Sequence, residues 1–297
     1  MKTIISKRFY EKEIPISAYI ELTKPSILNM VLVTTTLGFF LEGRGIHSFS
    51  RLFFTLLGVA FACAGASALN HYLERDADSK MKRTQKRPIP MGIISPSTAM
   101  SFGLILVLSG VFILCWKVNL LTAFLSLLTV FLYVLVYTPM KRLTWLNTTF
   151  GAIPGAIPPL GGWTAATGQL DFGAWVLFLI LFVWQHPHFY AIAWMFREDY
   201  ERAGFKMLPV IYPDGKSTFA QILLFSCLLI PISILPTFIG MSGRIYMLGA
   251  IALGVSLLIL GKTLSVTKSI VDARKLLRAT VIYLPLLLLL IIIDTTF

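Results

Sequence analysis

Three polar residues close an otherwise apolar stretch of this chain. Asn70, Glu74 and Asp78 follow one another at intervals of four, so on a helix they share one face. The residues before them, Leu52 to Leu69, carry no charge; those after them include Lys80, Lys82, Arg83, Lys86 and Arg87. Two carboxylates and an amide offer hard oxygen ligands. Mg²⁺ prefers such ligands and is held by one or two carboxylates together with substrate phosphates and water. Glu74 and Asp78 are therefore candidate metal ligands. Asp76 is a third, although on an ideal helix it lies about 160° from Glu74 and reaches the same place only if the helix loosens at its end. Arginine forks and lysine point charges suit diphosphate oxygens, which makes Arg83 and Arg87, and further on Lys141 and Arg142, candidate phosphate contacts. Each feature has a plainer explanation: acids at a solvated helix end, and cations that a cytoplasmic loop carries anyway.

A second polar rim follows later. Arg197, Glu198, Asp199, Arg202 and Lys206 succeed an apolar run that holds Trp184, Gln185, His186, His188, Tyr190 and Trp194. His188 and Asp199 are eleven residues apart, three helical turns, and share a face. Polar side chains inside an apolar helix are costly and usually face an interior cavity. His186 and His188 are either hydrogen-bonded core residues or contacts for an iron or porphyrin.

The elements that carry these residues must be membrane helices. Charged residues make up 13% of the 297 and hydrophobic residues 56%, whereas soluble chains carry about 25% charge. Apolar runs long enough to span a bilayer recur throughout, without the alternation of a β-barrel. The expected fold is an all-α bundle of nine transmembrane helices, at about 20–41, 52–72, 94–116, 119–138, 145–166, 172–195, 217–239, 245–261 and 279–296. It forms one domain over 1–297, with a polar N-terminal arm at 1–19. With the N-terminus in the cytoplasm and the C-terminus outside, all but four of the 26 Lys and Arg fall on the cytoplasmic side; the exceptions are Arg44, Arg51, Lys117 and Arg244. That asymmetry is the positive-inside pattern. It also accounts for the net charge of +12 without nucleic acid, with some attraction to anionic lipid.

The first fifteen residues include Glu11, Glu13 and Pro15 and no apolar segment, so neither a cleaved signal nor a transit peptide is expected. The expected address is a bacterial inner membrane. Cys63, Cys115 and Cys227 show no disulfide or metal spacing. The fifth run holds Gly151, Pro154, Gly155, Pro158, Pro159, Gly161 and Gly162. A helix so interrupted is tolerated where it is buried or lines a cavity. The run Leu286 to Ile293 is uniformly apolar and reads as an outer helix.

Two acidic rims on the cytoplasmic side, above an apolar and aromatic interior, suit a lipid diphosphate. Its head needs cations and its chain needs hydrocarbon. Ionising an allylic diphosphate requires neutralising the leaving group, and aromatic rings can shield the resulting cation.

The chain resembles the UbiA-type intramembrane prenyltransferases, over nearly its whole length. The resemblance rests on Asn70-His-Tyr-Leu-Glu-Arg-Asp-Ala-Asp78, continued by Met81, Arg83, Thr84, Arg87, Pro88, Pro90 and Gly92. Further on it rests on Tyr137-Thr-Pro-Met-Lys-Arg142 with Thr144 and Asn147, and on Gly151-Ala-Ile-Pro-Gly-Ala-Ile-Pro-Pro159 with Gly162 and Trp163. Trp184-Gln-His-Pro-His-Phe189, leading into Arg197-Glu-Asp-Tyr200, Ala203-Gly204 and Met207-Leu-Pro209, resembles the heme-modifying branch.

The resemblance implies Mg²⁺-dependent transfer of a farnesyl group from farnesyl diphosphate to a vinyl group of heme b. Water then captures the cation and heme O results. It also implies partners that modify heme O or assemble terminal oxidases. By position, Asn70, Glu74, Asp78 and Asp199 would be catalytic, Arg83, Arg87, Lys141 and Arg142 would bind diphosphate, and His188, with His186, would contact heme. Two departures stand out: Glu74 occupies a place that is usually Asp, and Ala203 a place that is Asp in the wider superfamily. The alternatives are a UbiA-type enzyme acting on an aromatic quinone precursor and a membrane transporter.

Overall fold

The computed structural model describes residues 14–42 and 45–294, and every regular element among them is helical. A short helix, α1 (Ile16–Leu22), leads into α2 (Pro25–Glu42). Two long helices follow, α3 (Phe49–Asp78) and α4 (Pro96–Lys117). The next runs as α5 (Leu120–Phe131), a π-helical segment Leu132–Tyr137, and α6 (Thr138–Leu143). Two ten-residue helices, α7 (Asn147–Ala156) and α8 (Pro158–Thr167), precede α9 (Phe172–Met195). After α10 (Arg197–Arg202) and α11 (Leu208–Ile211) come α12 (Lys216–Ser233), α13 (Leu235–Phe238), α14 (Arg244–Thr267) and α15 (Ile270–Ile293).

The helix starts are written in the local sequence. Ser48, Ser95 and Asn119 accept the backbone N–H of Arg51, Thr98 and Thr122 at the heads of α3, α4 and α5, which satisfies donors that a helix leaves open. Glycines set how closely α3 and α4 approach. A Cβ on Gly110 would stand 2.5 Å from the Gly58 carbonyl oxygen, and one on Gly65 2.5 Å from that of Gly103. Small residues at such a seam let backbones touch where lipid supplies no hydrophobic drive between helices.

Seven of the described helices are long and apolar enough to cross a bilayer, and α1 with α2, bent by 53°, makes an eighth if the pair is one span. The sequence predicts nine. The difference is the Gly- and Pro-rich run, which folds as α7 and α8 rather than one continuous helix. Pro154 lies inside α7, and Pro158 and Pro159 open α8. Most of both helices is buried, as a broken backbone in a membrane requires. α8 lies against α2, where a Cβ on Gly162 would collide with the Thr35 carbonyl. The expected polar arm at 1–19 also ends early. α1 starts at Ile16, and residues 1–13, with Glu11 and Glu13, lie outside the described residues.

The largest core joins α2, α7, α8 and α9 to α12, α14 and α15. A smaller one packs Ala77, in the last turn of α3, and Met81, just beyond it, against Ala193, Ala203, Phe205 and Met207. That seam brings the two polar rims together.

Candidate active site

Asn70, Glu74 and Asp78 occupy the last three turns of α3 and are all buried. Each meets a cation from elsewhere in the chain. The Asn70 side-chain oxygen accepts Lys24 Nζ at 2.6 Å. Glu74 Oε1 accepts Lys141 Nζ at 2.5 Å. Both oxygens of Asp78 accept Arg87 Nη1 at 2.8 Å. A buried charge is stable only when paired and hydrogen-bonded, so each pairing fixes its neighbour's place. The amide of Asn70 is held from both ends, because its nitrogen donates to Thr138 Oγ1 at 3.0 Å.

The supports for this row come from irregular backbone. Lys24 sits between α1 and α2 with φ at 50°, a left-handed conformation that costs an L-residue about 1–2 kcal/mol. Such strain clusters at functional positions. Lys24 Nζ also donates to the Tyr133 hydroxyl at 3.3 Å. Tyr133 and Tyr137 begin and end one turn of the π-helical segment, and their rings lie 5.7 Å apart. Thr138 Oγ1 donates back to the Tyr133 carbonyl at 2.9 Å, the five-residue reach of a π turn. The Tyr137 ring lies 4.6 Å from Lys141 Nζ. Together these side chains form a buried patch with three cations, two carboxylates and two phenols.

The second rim is built differently. Asp199, nearly buried, accepts the backbone N–H of Lys82 at 3.2 Å and of Arg83 at 3.4 Å, and pairs with Arg202 one turn along α10. It therefore anchors the basic loop after α3. Arg83 lies outside, its guanidinium over Phe196 at 5.0 Å and donating to the Tyr200 hydroxyl at 3.3 Å. The loop is tied down again where Thr84 donates to the Asp78 carbonyl at 2.9 Å. A third tie crosses the rims: Lys206 N–H donates to the Lys141 carbonyl at 2.7 Å, and Asn147 Nδ2 to the Lys206 carbonyl at 3.0 Å.

The histidines part company. His186 Nδ1 donates to the Phe182 carbonyl at 2.8 Å, and its Nε2 faces the Thr149 hydroxyl at 3.3 Å, so both nitrogens are engaged. His188 has one hydrogen-bond partner among the described residues, Thr280 Oγ1, 2.9 Å from Nδ1.

Neither Asp76 nor Arg142 is brought to either rim's polar contacts. The Asp76 side chain is 70% exposed and faces Arg75 at 3.9 Å. The helix stays regular to Asp78, so Asp76 keeps its place on the opposite face. Arg142 is exposed on α6 and makes no polar contact with the described residues. Nor do three of His, Cys, Asp and Glu gather anywhere among the described residues as a ready-made metal cage. The sequence analysis does not single out Lys24 and Tyr133, and it has Tyr137 only as the first residue of the Tyr137–Arg142 run, with no site role. The available signal for Lys24 was a lysine just inside an apolar run, which is rare without a function.

A helical membrane bundle with a buried cation–carboxylate patch at one end is the class of architecture defined so far. The profile of the UbiA prenyltransferase family matches residues 31–284, and the chain belongs to that family. Among curated relatives it is 45% identical to a protoheme IX farnesyltransferase of Solibacter usitatus, covering 93% of this chain and 98% of the relative. It is 44% identical to one of Salinibacter ruber, with the same coverage. Among solved structures, a digeranylgeranylglyceryl phosphate synthase superposes with a TM-score of 0.79 at 18% identity, over 94% of this chain and 98% of that one. A UbiA homologue from Archaeoglobus fulgidus, bound to GPP and Mg²⁺, superposes at 0.68 and 14% identity, over 92% and 99%. These likenesses agree on the fold, and the chain is a multi-pass membrane protein.

Proposed function

We propose that this chain transfers the farnesyl group of farnesyl diphosphate to a vinyl carbon of protoheme IX (heme b), with addition of water, giving heme O. The observation that carries the reading is the buried set Lys24, Lys141 and Arg87 facing Asn70, Glu74 and Asp78. It matches both halves of a magnesium diphosphate: oxygen ligands for the metal and cations for the phosphates.

Glu74 and Asp78 would hold Mg²⁺. Two carboxylates beside substrate phosphates are the ligands this ion uses, in keeping with the absence of a protein-only cage among the described residues. Bound there, Mg²⁺ would neutralise charge on the departing diphosphate. Lys141, Arg87 and Lys24 would turn from the carboxylates and amide towards phosphate oxygens, so no cation leaves the buried patch unpaired. Arg83 would serve at the rim.

The C1–O bond of the donor breaks with its electron pair on the diphosphate. The vinyl π pair then forms the new C–C bond. Water adds to the remaining cation beside the porphyrin ring and loses its proton. Tyr133 and Tyr137 would shield the allylic cation from earlier capture by water. Asp199 would act through the loop it anchors, holding Lys82 and Arg83 in place. His188, with a nitrogen to spare, fits the heme better than His186.

The finer topology follows. α7 with α8 would complete nine crossings, with the N-terminus in the cytoplasm, the C-terminus outside and the site facing the cytoplasm of a bacterial inner membrane. Residues 1–297 would form one domain, and its heme product would pass to heme-modifying or terminal oxidase assembly partners. The test is to incubate the detergent-purified protein with heme b, farnesyl diphosphate and Mg²⁺ and to measure the mass of the extracted heme. A hydroxyethylfarnesyl adduct that vanishes with EDTA is expected. Unmodified heme from folded protein, with prenylation of an added quinone precursor instead, would move the assignment to the aromatic-acceptor branch.

A further inference from the structure

His188 is fixed to the last helix by proton counting. Thr280 Oγ1 lies 2.7 Å from the Leu277 carbonyl oxygen and 2.9 Å from His188 Nδ1. A carbonyl can only accept, and two oxygens at that distance need a proton between them. The hydroxyl has one proton and gives it to Leu277. The bond to His188 must then use a proton on Nδ1, with Thr280 as acceptor. A neutral imidazole protonated at Nδ1 carries its lone pair on Nε2. No polar partner of Nε2 occurs among the described residues.

Thr280 is itself clamped. Its carbonyl accepts Trp184 Nε1 at 2.9 Å, and the Trp184 ring stacks on His188 with centroids 5.2 Å apart and planes 25° from parallel. The imidazole is thus set in tautomer by Thr280 and in orientation by Trp184. His186, two residues earlier, serves as the internal contrast. Its Nδ1 is also protonated, towards Phe182, but its Nε2 faces the Thr149 hydroxyl.

We infer that Thr280 is a positioning residue for the porphyrin acceptor: it holds His188 in the Nδ1-protonated form, so that Nε2 offers its lone pair to the substrate's iron. The inference rests on the heme reading above. Hydrogen-bond partners of this kind orient iron- and zinc-binding imidazoles, and their loss costs metal affinity.

The test is titration of the purified wild type, Thr280→Val and Thr280→Ser with ferric heme b, followed by the Soret band. The wild type should give a histidine-ligated spectrum. Thr280→Val should weaken heme binding about tenfold, while Thr280→Ser, which keeps the acceptor, stays within about twofold. Farnesyl diphosphate binding should be equal in all three, which marks the valine variant as folded. A valine variant that titrates like the wild type overturns the inference alone. A wild type with no heme spectrum removes the heme reading and the inference together. ¹⁵N-histidine spectra of the heme-free wild type need no substitution: His188 should be protonated at Nδ1 and bare at Nε2, and a proton on Nε2 overturns the inference.

Discussion

The two acidic rims look alike in sequence and differ in what their carboxylates hold. At the end of α3, Glu74 and Asp78 pair with Lys141 and Arg87, side chains 67 and 9 residues away. At α10, Asp199 takes two backbone N–H groups and its own neighbour Arg202. Side-chain ion pairs can be re-partnered when a ligand arrives, whereas a carboxylate seated on backbone amides holds a loop in shape. On the proposed reading the first rim would do the chemistry, and the second would hold the basic loop in place.

The sharpest way to break that contrast is Asp78→Asn. The variant keeps the volume and removes the charge, so about 10³-fold loss of prenyl transfer is expected, of the order seen when a group stabilising transition-state charge is removed. Product mass spectrometry at saturating donor measures it, and wild-type rates would end the role given to Asp78. Next in size is Lys141→Met. It leaves Glu74 buried without a partner and should destabilise the fold by about 3–5 kcal/mol, while removing both charges together should be far less damaging. Unfolding midpoints of Lys141→Met, Glu74→Met and the double variant decide whether the pair is coupled as its 2.5 Å contact implies.

Asp199→Asn should fall between these and neutrality. The amide still accepts one hydrogen bond but loses the charge that drew the N–H groups of Lys82 and Arg83. A loss of about 1.5–3 kcal/mol in holding the loop is expected, which predicts greater protease access at residues 79–93. Activity should drop through KM for the diphosphate more than through kcat. A loop as resistant as in the wild type, with kcat abolished, would make Asp199 a direct participant and erase the difference between the rims.

How much of this was legible in the sequence depends on range. The row Asn70, Glu74, Asp78 was readable because helix geometry alone aligns residues four apart. The apolar runs marked the long helices for the same reason. Lys24, Tyr133 and Tyr137 were not readable as site residues, because they come from a break and a π turn and meet α3 only through tertiary packing. The roles of the two rims were not separable either. Nothing in Arg197-Glu-Asp-Tyr200 announces that Asp199 will find the amides of a loop 116 residues earlier. The count of spans differed at α7 and α8, where the prolines were visible but the direction of the break was not.

The smallest expected effect tests the same geometry from its silent side. Asp76 lies between Glu74 and Asp78 in sequence, yet its side chain is 70% exposed and, among the described residues, meets only Arg75, at 3.9 Å. An exposed pair of that length contributes at most a few tenths of a kcal/mol. If α3 holds its helical phase through the acids, Asp76→Asn should leave turnover within about twofold and the unfolding midpoint unchanged, as for most exposed substitutions. Its Mg²⁺ dependence should superpose on that of the wild type. If the helix end instead unwinds when the diphosphate binds, Asp76 swings into the patch, and the variant will need more Mg²⁺ for half-maximal rate. A Mg²⁺ titration of Asp76→Asn beside Asp78→Asn therefore reads whether the row on α3 works as a rigid helix face or as a fraying end.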